Sequence, residues 1–176
     1  MNAPHPSTAL PPGVPAPAFD LPRLGGGRAT LLELVPGGRP AVLVFFKTEC
    51  PTCKLSMPFL ERMWRRFQAA GEGRVGLLAI AQNPMEELPA FLRSYGATFP
   101  VASEAEPYAV SDAYGITNVP TIFTLDDRGV ITRTSVGFAR SELDAVTAEA
   151  TELAGSRDAA SIFGEADSGV PILQPG

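Results

Sequence analysis

Residues 40–70, PAVLVFFKTECPTCKLSMPFLERMWRRFQAA, hold the stretch on which the fold turns. Residues 40–46 are a continuous apolar run rich in Val and Phe, the composition of a strand buried on both faces of a sheet. From residue 51 the period changes. Leu55, Phe59, Met63 and Phe67 recur every four residues, with Leu60 and Trp64 beside them, which predicts a helix over 51–70 with one apolar face. Cys50 and Cys53 stand where strand gives way to helix. Unpaired backbone N–H groups at a helix N-terminus favour negative charge, so this junction suits a thiolate at Cys50. Pro51 fits the first helical turn, where its missing N–H costs nothing. Cys53 lies in that same turn, within reach of a mixed disulfide formed at Cys50.

Outward from this block, strands and helices alternate. Residues 19–21 and 30–32 flank Gly25-Gly26-Gly27 as a short hairpin. Residues 75–81 read as a second buried strand, 86–95 as a helix after Pro84, and 99–102 as a short strand. Residues 121–125 and 130–136 read as strands joined by the turn Asp126-Asp127-Arg128-Gly129. Ser141 is the expected N-cap of a last helix whose Leu143, Val146, Ala150 and Leu153 share a face. This order implies an α/β fold, a central mixed sheet with helices on both faces.

The 176 residues suit one domain with a little left at each end. Residues 1–17 carry six prolines and no acidic or basic side chain except His5, the expected signature of a flexible, polyproline-like tail whose removal leaves the fold intact. Residues 18–155 form the expected domain. Residues 156–176 turn small and polar, and read equally as a loose tail or an arm packed on the domain. A net charge of −5 argues against a nucleic-acid partner. The longest apolar runs are of strand length, far short of the ~20 residues a helix needs to cross a bilayer. The first basic residue is Arg23, and prolines break the only apolar stretch before it, so no signal peptide is read and a cytoplasmic protein is expected.

The same two thiols have other uses. A structural zinc site needs four ligands, and the one histidine is His5 in the proline-rich segment, so no metal is expected. A structural disulfide across so few residues would gain little chain entropy. In a reducing compartment a Cys-x-x-Cys is more often redox-active or metal-binding than structural.

The chain resembles the thioredoxin superfamily, and within it the TlpA-like redoxin branch, to which AhpC/TSA proteins are related. Phe45-Phe46-Lys47-Thr48-Glu49-Cys50-Pro51-Thr52-Cys53-Lys54 is similar to that family's strand–active-site–helix block. Pro58 matches its helix-kinking proline, and Val119-Pro120-Thr121 the segment carrying its cis-proline. Residues 18–34 look like the N-terminal hairpin of the branch. The resemblance covers residues 18–155 and implies a thioredoxin-like fold in which Val119 and Pro120, with Pro51 and Thr52, shape a substrate groove beside the cysteines. The chain departs from the pattern in three places. Glu49 stands where thioredoxins usually have Trp, Val44 where they bury an acid, and Ser56 where some TlpA-like proteins place one. Glu49 opposes ionisation of a neighbouring thiol, whereas Lys47 and Lys54 favour it.

The reading is a thiol–disulfide oxidoreductase in which Cys50 attacks and Cys53 resolves. Its substrates are disulfides or thiols of proteins or small molecules, an unidentified reductase or electron donor recharges it, and exchange needs no bound cofactor. A peroxiredoxin-like thiol peroxidase is the enzymatic alternative. With Cys53 in the peroxidatic place, however, Cys50 would stand for that family's Thr and Phe46 for its Pro. A redox-regulated binding module is the alternative from another class. Arg62, Arg65 and Arg66 read as a solvated helix face. Gly25–Gly27 lacks the strand and helix context of a nucleotide loop.

Overall fold

The fold is taken from a computed structural model that describes residues 8–35 and 37–176. Its centre is β3 (Ala41–Phe46), in which all six residues are buried. Alternation along this strand divides the core in two. Val42, Val44 and Phe46 face one apolar cluster, whereas Ala41, Leu43 and Phe45 face the other. β4 (Gly76–Ala81) runs parallel beside β3, and β5 (Val101–Ser103) runs parallel beside β4. On the other side β6 (Thr121–Leu125) and β7 (Ile131–Val136) add antiparallel strands, for an order β5-β4-β3-β6-β7.

The first cluster is covered by helices. α2 (Pro51–Ala70) contributes Met57, Leu60, Met63 and Phe67, α3 (Leu88–Ser94) Leu88 and Leu92, and α5 (Arg140–Leu153) Leu143, Val146 and Ala150. The second cluster is covered by shorter pieces. These are the hairpin β1 (Asp20–Pro22) and β2 (Arg28–Thr30), the turn of helix α1 (Leu31–Leu34), and Tyr114, which follows α4 (Ala109–Ala113). The strand expected over 30–32 ends at Thr30, whose hydroxyl accepts the Glu33 amide and starts α1 instead.

Residues 1–7 lie outside the described residues, and residues 8–17 are not a loose tail. They turn at Pro12–Gly13 and are bound to the domain. Leu10 N–H donates to Tyr114 O at 3.1 Å, Gly13 N–H to Ile131 O at 2.7 Å and Ala16 N–H to Gly129 O at 2.9 Å, while Val14 O accepts from Ile131 N–H at 2.9 Å. The physical reason is that each non-proline residue between the prolines spends its backbone group on the turn and strand edge beside it.

Residues 156–176 form a packed arm. Ile162 is buried, and the Phe163 ring lies 4.6 Å from Phe59 and 6.2 Å from Phe138. Asp167 takes a two-pronged ion pair from Arg62 at 2.6 and 3.0 Å. Arg66 holds Asp158 at 3.2 Å and the Ala160 carbonyl at 2.9 Å. Of the three arginines read as a solvated face, only Arg65 pairs within its own helix, with Glu61. The arm ends in β9 (Leu173–Gln174), antiparallel to β8 (Phe138–Ala139). That contact also displaces the expected cap of α5. Ala139 is the N-cap, and the Arg140 amide is satisfied by Ile172 O at 3.0 Å, so the helix starts one residue before Ser141.

Candidate active site

The site forms where β3 ends and α2 begins. Cys50 is the N-cap of α2, extended at φ −69° and ψ 121°, with Pro51 as the first helical residue. Its sulfur receives the Cys53 N–H at 3.2 Å and lies 3.3 Å from the Val119 carbonyl oxygen. Both cysteines are free thiols, Cys50 half-buried and Cys53 fully buried. The difference follows from the helix. Cys50 precedes it and sits at its mouth, whereas Cys53 belongs to the stripe that continues through Met57 and Leu60 into the core.

Burial is the main reason why the Cys53 thiol is pushed far up in pKa, with Cys50 and Glu49 adding to it and the Lys47 backbone opposing. Val44 and Ser56, at the two positions where related proteins carry an acid, are both buried. The Ser56 hydroxyl donates back to Thr52 O at 2.8 Å and stays within its own helix.

Glu49 is held on the other side. Its carboxyl accepts from Asn83 Nδ2 and from the Thr48 hydroxyl, both at 2.9 Å. The Asn83 amide is the leading cause of its lowered pKa, followed by backbone hydrogen bonding, with smaller help from Thr48 and the Lys47 charge. Asn83 also accepts the Thr48 N–H at 2.9 Å and donates to Glu87, so one buried side chain at the end of β4 fixes the loop that carries Glu49 to Cys50. Lys47 lies over the Tyr108 ring at 5.5 Å.

The second wall of the site is the loop before β6. The Val119–Pro120 peptide bond is cis, and the Thr121 hydroxyl donates to Asn118 O at 2.7 Å, closing the turn. A cavity of about 250 Å³ opens along this loop, lined by Lys47, Gln82, Tyr108, Ser111, Asn118 and Val119. Thr52, the fourth expected groove residue with Pro51, Val119 and Pro120, is buried. Its hydroxyl donates to Pro175 O at 2.6 Å and accepts from Gln174 Nε2 at 2.9 Å. The structure thus gathers Cys50, Pro51, Thr52, Cys53 and Val119 at one place. It adds Asn83, Asn118 and the arm residues Gln174 and Pro175, none of which carries a local pattern in the sequence. Among the described residues no group of three or more His, Cys, Asp or Glu side chains is placed to hold a metal ion. Nor is any helix there long and apolar enough to cross a membrane.

Comparison with known proteins agrees with this architecture. A family model described as the AhpC/TSA family matches residues 12–134. The thiol-disulfide oxidoreductase ResA of Halalkalibacterium halodurans is 32% identical over 126 residues, 71% of this chain and 68% of that protein. ResA of Bacillus subtilis is 30% identical over 128 residues, 71% of this chain and 67% of that protein. Among solved structures, a thiol:disulfide interchange protein from a Bacteroides species superimposes with a TM-score of 0.69 at 17% identity, covering 85% of this chain and 93% of that one.

Proposed function

The chain belongs to the AhpC/TSA family, within the thioredoxin superfamily, and from that premise we propose that it is a thiol–disulfide oxidoreductase whose exchanging dithiol is Cys50 and Cys53. The observation that carries the reading is the contrast between two thiols one helical turn apart. One sits half-buried at the mouth of α2 beside Val119, and the other is sealed beneath it. Only Cys50 offers a sulfur to a disulfide from outside.

In the reductive direction, the Cys50 thiolate attacks one sulfur of a substrate disulfide. The substrate S–S bond breaks, and the departing thiolate takes a proton from water. Cys53 then attacks the Cys50 sulfur, its proton passing to the departing substrate thiolate. The Cys50–Cys53 bond forms as the second substrate thiolate leaves. Two electrons pass from the protein to the substrate, and an external dithiol or reductase returns them; each step is reversible. Pro51 and Val119 flank the attacked sulfur and meet the arriving substrate, while the buried Thr52 and Pro120 hold that surface from beneath. Peroxide reduction at Cys53 finds no support here, because a peroxidatic thiol must meet peroxide and Cys53 has no exposed surface.

The test is alkylation of the reduced protein at limiting reagent, followed by mapping of the label. Cys50 should carry it. Cys50→Ser should abolish disulfide reduction, and Cys53→Ser should accumulate a mixed disulfide that added reductant releases. Label on Cys53, or full activity in Cys50→Ser, would overturn the assignment.

A further inference from the structure

The last residues of the arm lie across the approach to Cys50. Leu173 and Gln174 pair with Ala139 and Phe138, and the Thr52 hydroxyl is tied to Gln174 and Pro175. Asn118 Nδ2 donates to Gly176 O at 3.1 Å. A Cβ on Gly176 would fall 2.6 Å from Val119 O, so this residue lies flush against the same carbonyl that the Cys50 sulfur meets at 3.3 Å. The segment therefore touches both walls of the site, two residues beyond Cys50 on α2 and at Val119 on the facing loop.

The manner of attachment matters as much as its place. Ile172 and Leu173 are 77% and 67% exposed, so no side-chain pocket holds them. The seat is made of backbone pairing and a few polar bonds, a mode that accepts many sequences in extended form. The anchors that fold the arm back, Phe163 and the Asp167–Arg62 pair, all precede residue 172. The segment can leave its seat while the rest of the arm stays packed.

We propose that residues 172–176 occupy, within the same chain, the strip that the polypeptide flanking a substrate disulfide would take beside Cys50. This inference rests on the reading of Cys50 as the attacking thiol. Cys50 keeps part of its surface beside the seated segment, so a small disulfide reaches it directly. A disulfide held in a protein chain reaches it only when the segment lifts. The seat thus selects between substrate classes.

The test compares the full chain with one lacking residues 172–176. Reduction of insulin, a protein disulfide, and of hydroxyethyl disulfide, a small one, is measured on each. A strip free about one time in ten would slow polypeptide access about tenfold. Deletion should therefore speed insulin reduction by about tenfold and change the small substrate by less than about twofold. Insulin rates unchanged, or both substrates accelerated alike, would overturn the proposal. If the shortened chain does not fold, Gly176→Val serves in its place, since its Cβ must push the segment from Val119. A second measurement separates this idea from the dithiol reading. In a Cys50→Ser background, millimolar Val-Pro-Ile-Leu-Gln-Pro-Gly peptide should shift the amide resonances of Asn118, Phe138, Ala139 and Arg140 in the shortened chain but not in the full one. Those shifts need no exchange chemistry, so they stand even if Cys50 is not the nucleophile. Their absence would refute the shared strip.

Discussion

Replacing Tyr114 by Phe should destabilise the protein by about 2 kcal/mol, the cost of a hydrogen bond removed from one side so that its carbonyl is left short of a donor. The Tyr114 side chain is fully buried, with its ring 5.1 Å from Phe45 and 5.4 Å from Phe123, and its hydroxyl donates to Pro17 O at 2.7 Å. Phe preserves both ring contacts and removes only the oxygen, so no cavity of consequence adds to the loss. For a domain of this size, 1 kcal/mol moves Tm by about 2–4 °C, so a fall of about 4–8 °C is expected. Urea unfolding followed by circular dichroism gives the free energy directly. The decisive comparison is the same substitution in a chain without residues 1–16. There the four backbone bonds that tether this segment are gone, Pro17 is no longer held in place, and the penalty should shrink to within about 0.5 kcal/mol of zero. Tyr95→Phe, whose hydroxyl makes no hydrogen bond among the described residues, should cost little in either chain. An equal loss from Tyr114→Phe in both chains would refute the view that residues 8–17 are part of the fold.

Other expectations concern the site and the arm. Because burial keeps Cys53 protonated in the folded state while the unfolded thiol ionises near pH 9, its contribution is intact below that pH. It is lost as pH rises through 9, by about 1.4 kcal/mol in all between pH 8 and 10 in the reduced protein. Urea unfolding from pH 8 to 10 should show this loss, and Cys53→Ser should remove it. Arg62 and then the Gly164 amide hold Asp167 down to about 2, so its support of the arm is complete above about pH 4 and is lost as pH falls through 2. The protection factor of the Gly164 amide against exchange should fall in that window, and one constant from pH 5 to 2 would contradict it. Asn83→Ala should cost about 1–3 kcal/mol by stripping the Thr48 amide of its acceptor, and should let the Glu49 pKa climb back toward its ordinary value. A carbon-detected titration of Glu49 reads the second effect.

What the sequence revealed, and what it concealed, follows from where the information resides. The junction at residues 40–70 was legible because a continuous apolar run, a four-residue helical repeat and a Cys-x-x-Cys meet there, and each is local. The tethering of residues 8–17 was not. Leu10, Gly13, Val14 and Ala16 bond to Tyr114, Ile131 and Gly129, more than a hundred residues away, while the intervening prolines give a free tail and a bound strap the same composition. The arm was equally opaque, since β9 has two residues and its seat is built from Thr52, Asn118 and Phe138, on three separate elements. Arg62 and Arg66 read as solvent-facing because their partners, Asp167 and Asp158, lie some ninety to a hundred residues downstream. The departures at Val44 and Ser56 were visible. Their consequence, a Cys53 surrounded by core, needed the packing to be seen.

Helix α2 links these features physically. Its first turn carries Cys50 and Thr52, its buried stripe carries Cys53, and its Arg62 and Arg66 tie down the arm that returns to Thr52. A helix rises about 1.5 Å per residue, so Arg62 stands roughly 15 Å from Thr52 along α2. The distance from the Asp167 anchor back to the cysteines is thereby set by helix geometry. The arm is bound at one end by charge on α2 and at the other by backbone pairing to β8, which directly precedes α5. Loss of the first anchor need not unseat the second, because the Arg140 side chain also holds the carbonyls of Asp167, Val170 and Pro171. The strip beside Cys50 can therefore open by release of its last residues alone, while Phe163 and Asp167 keep the remaining arm in register with the active-site helix.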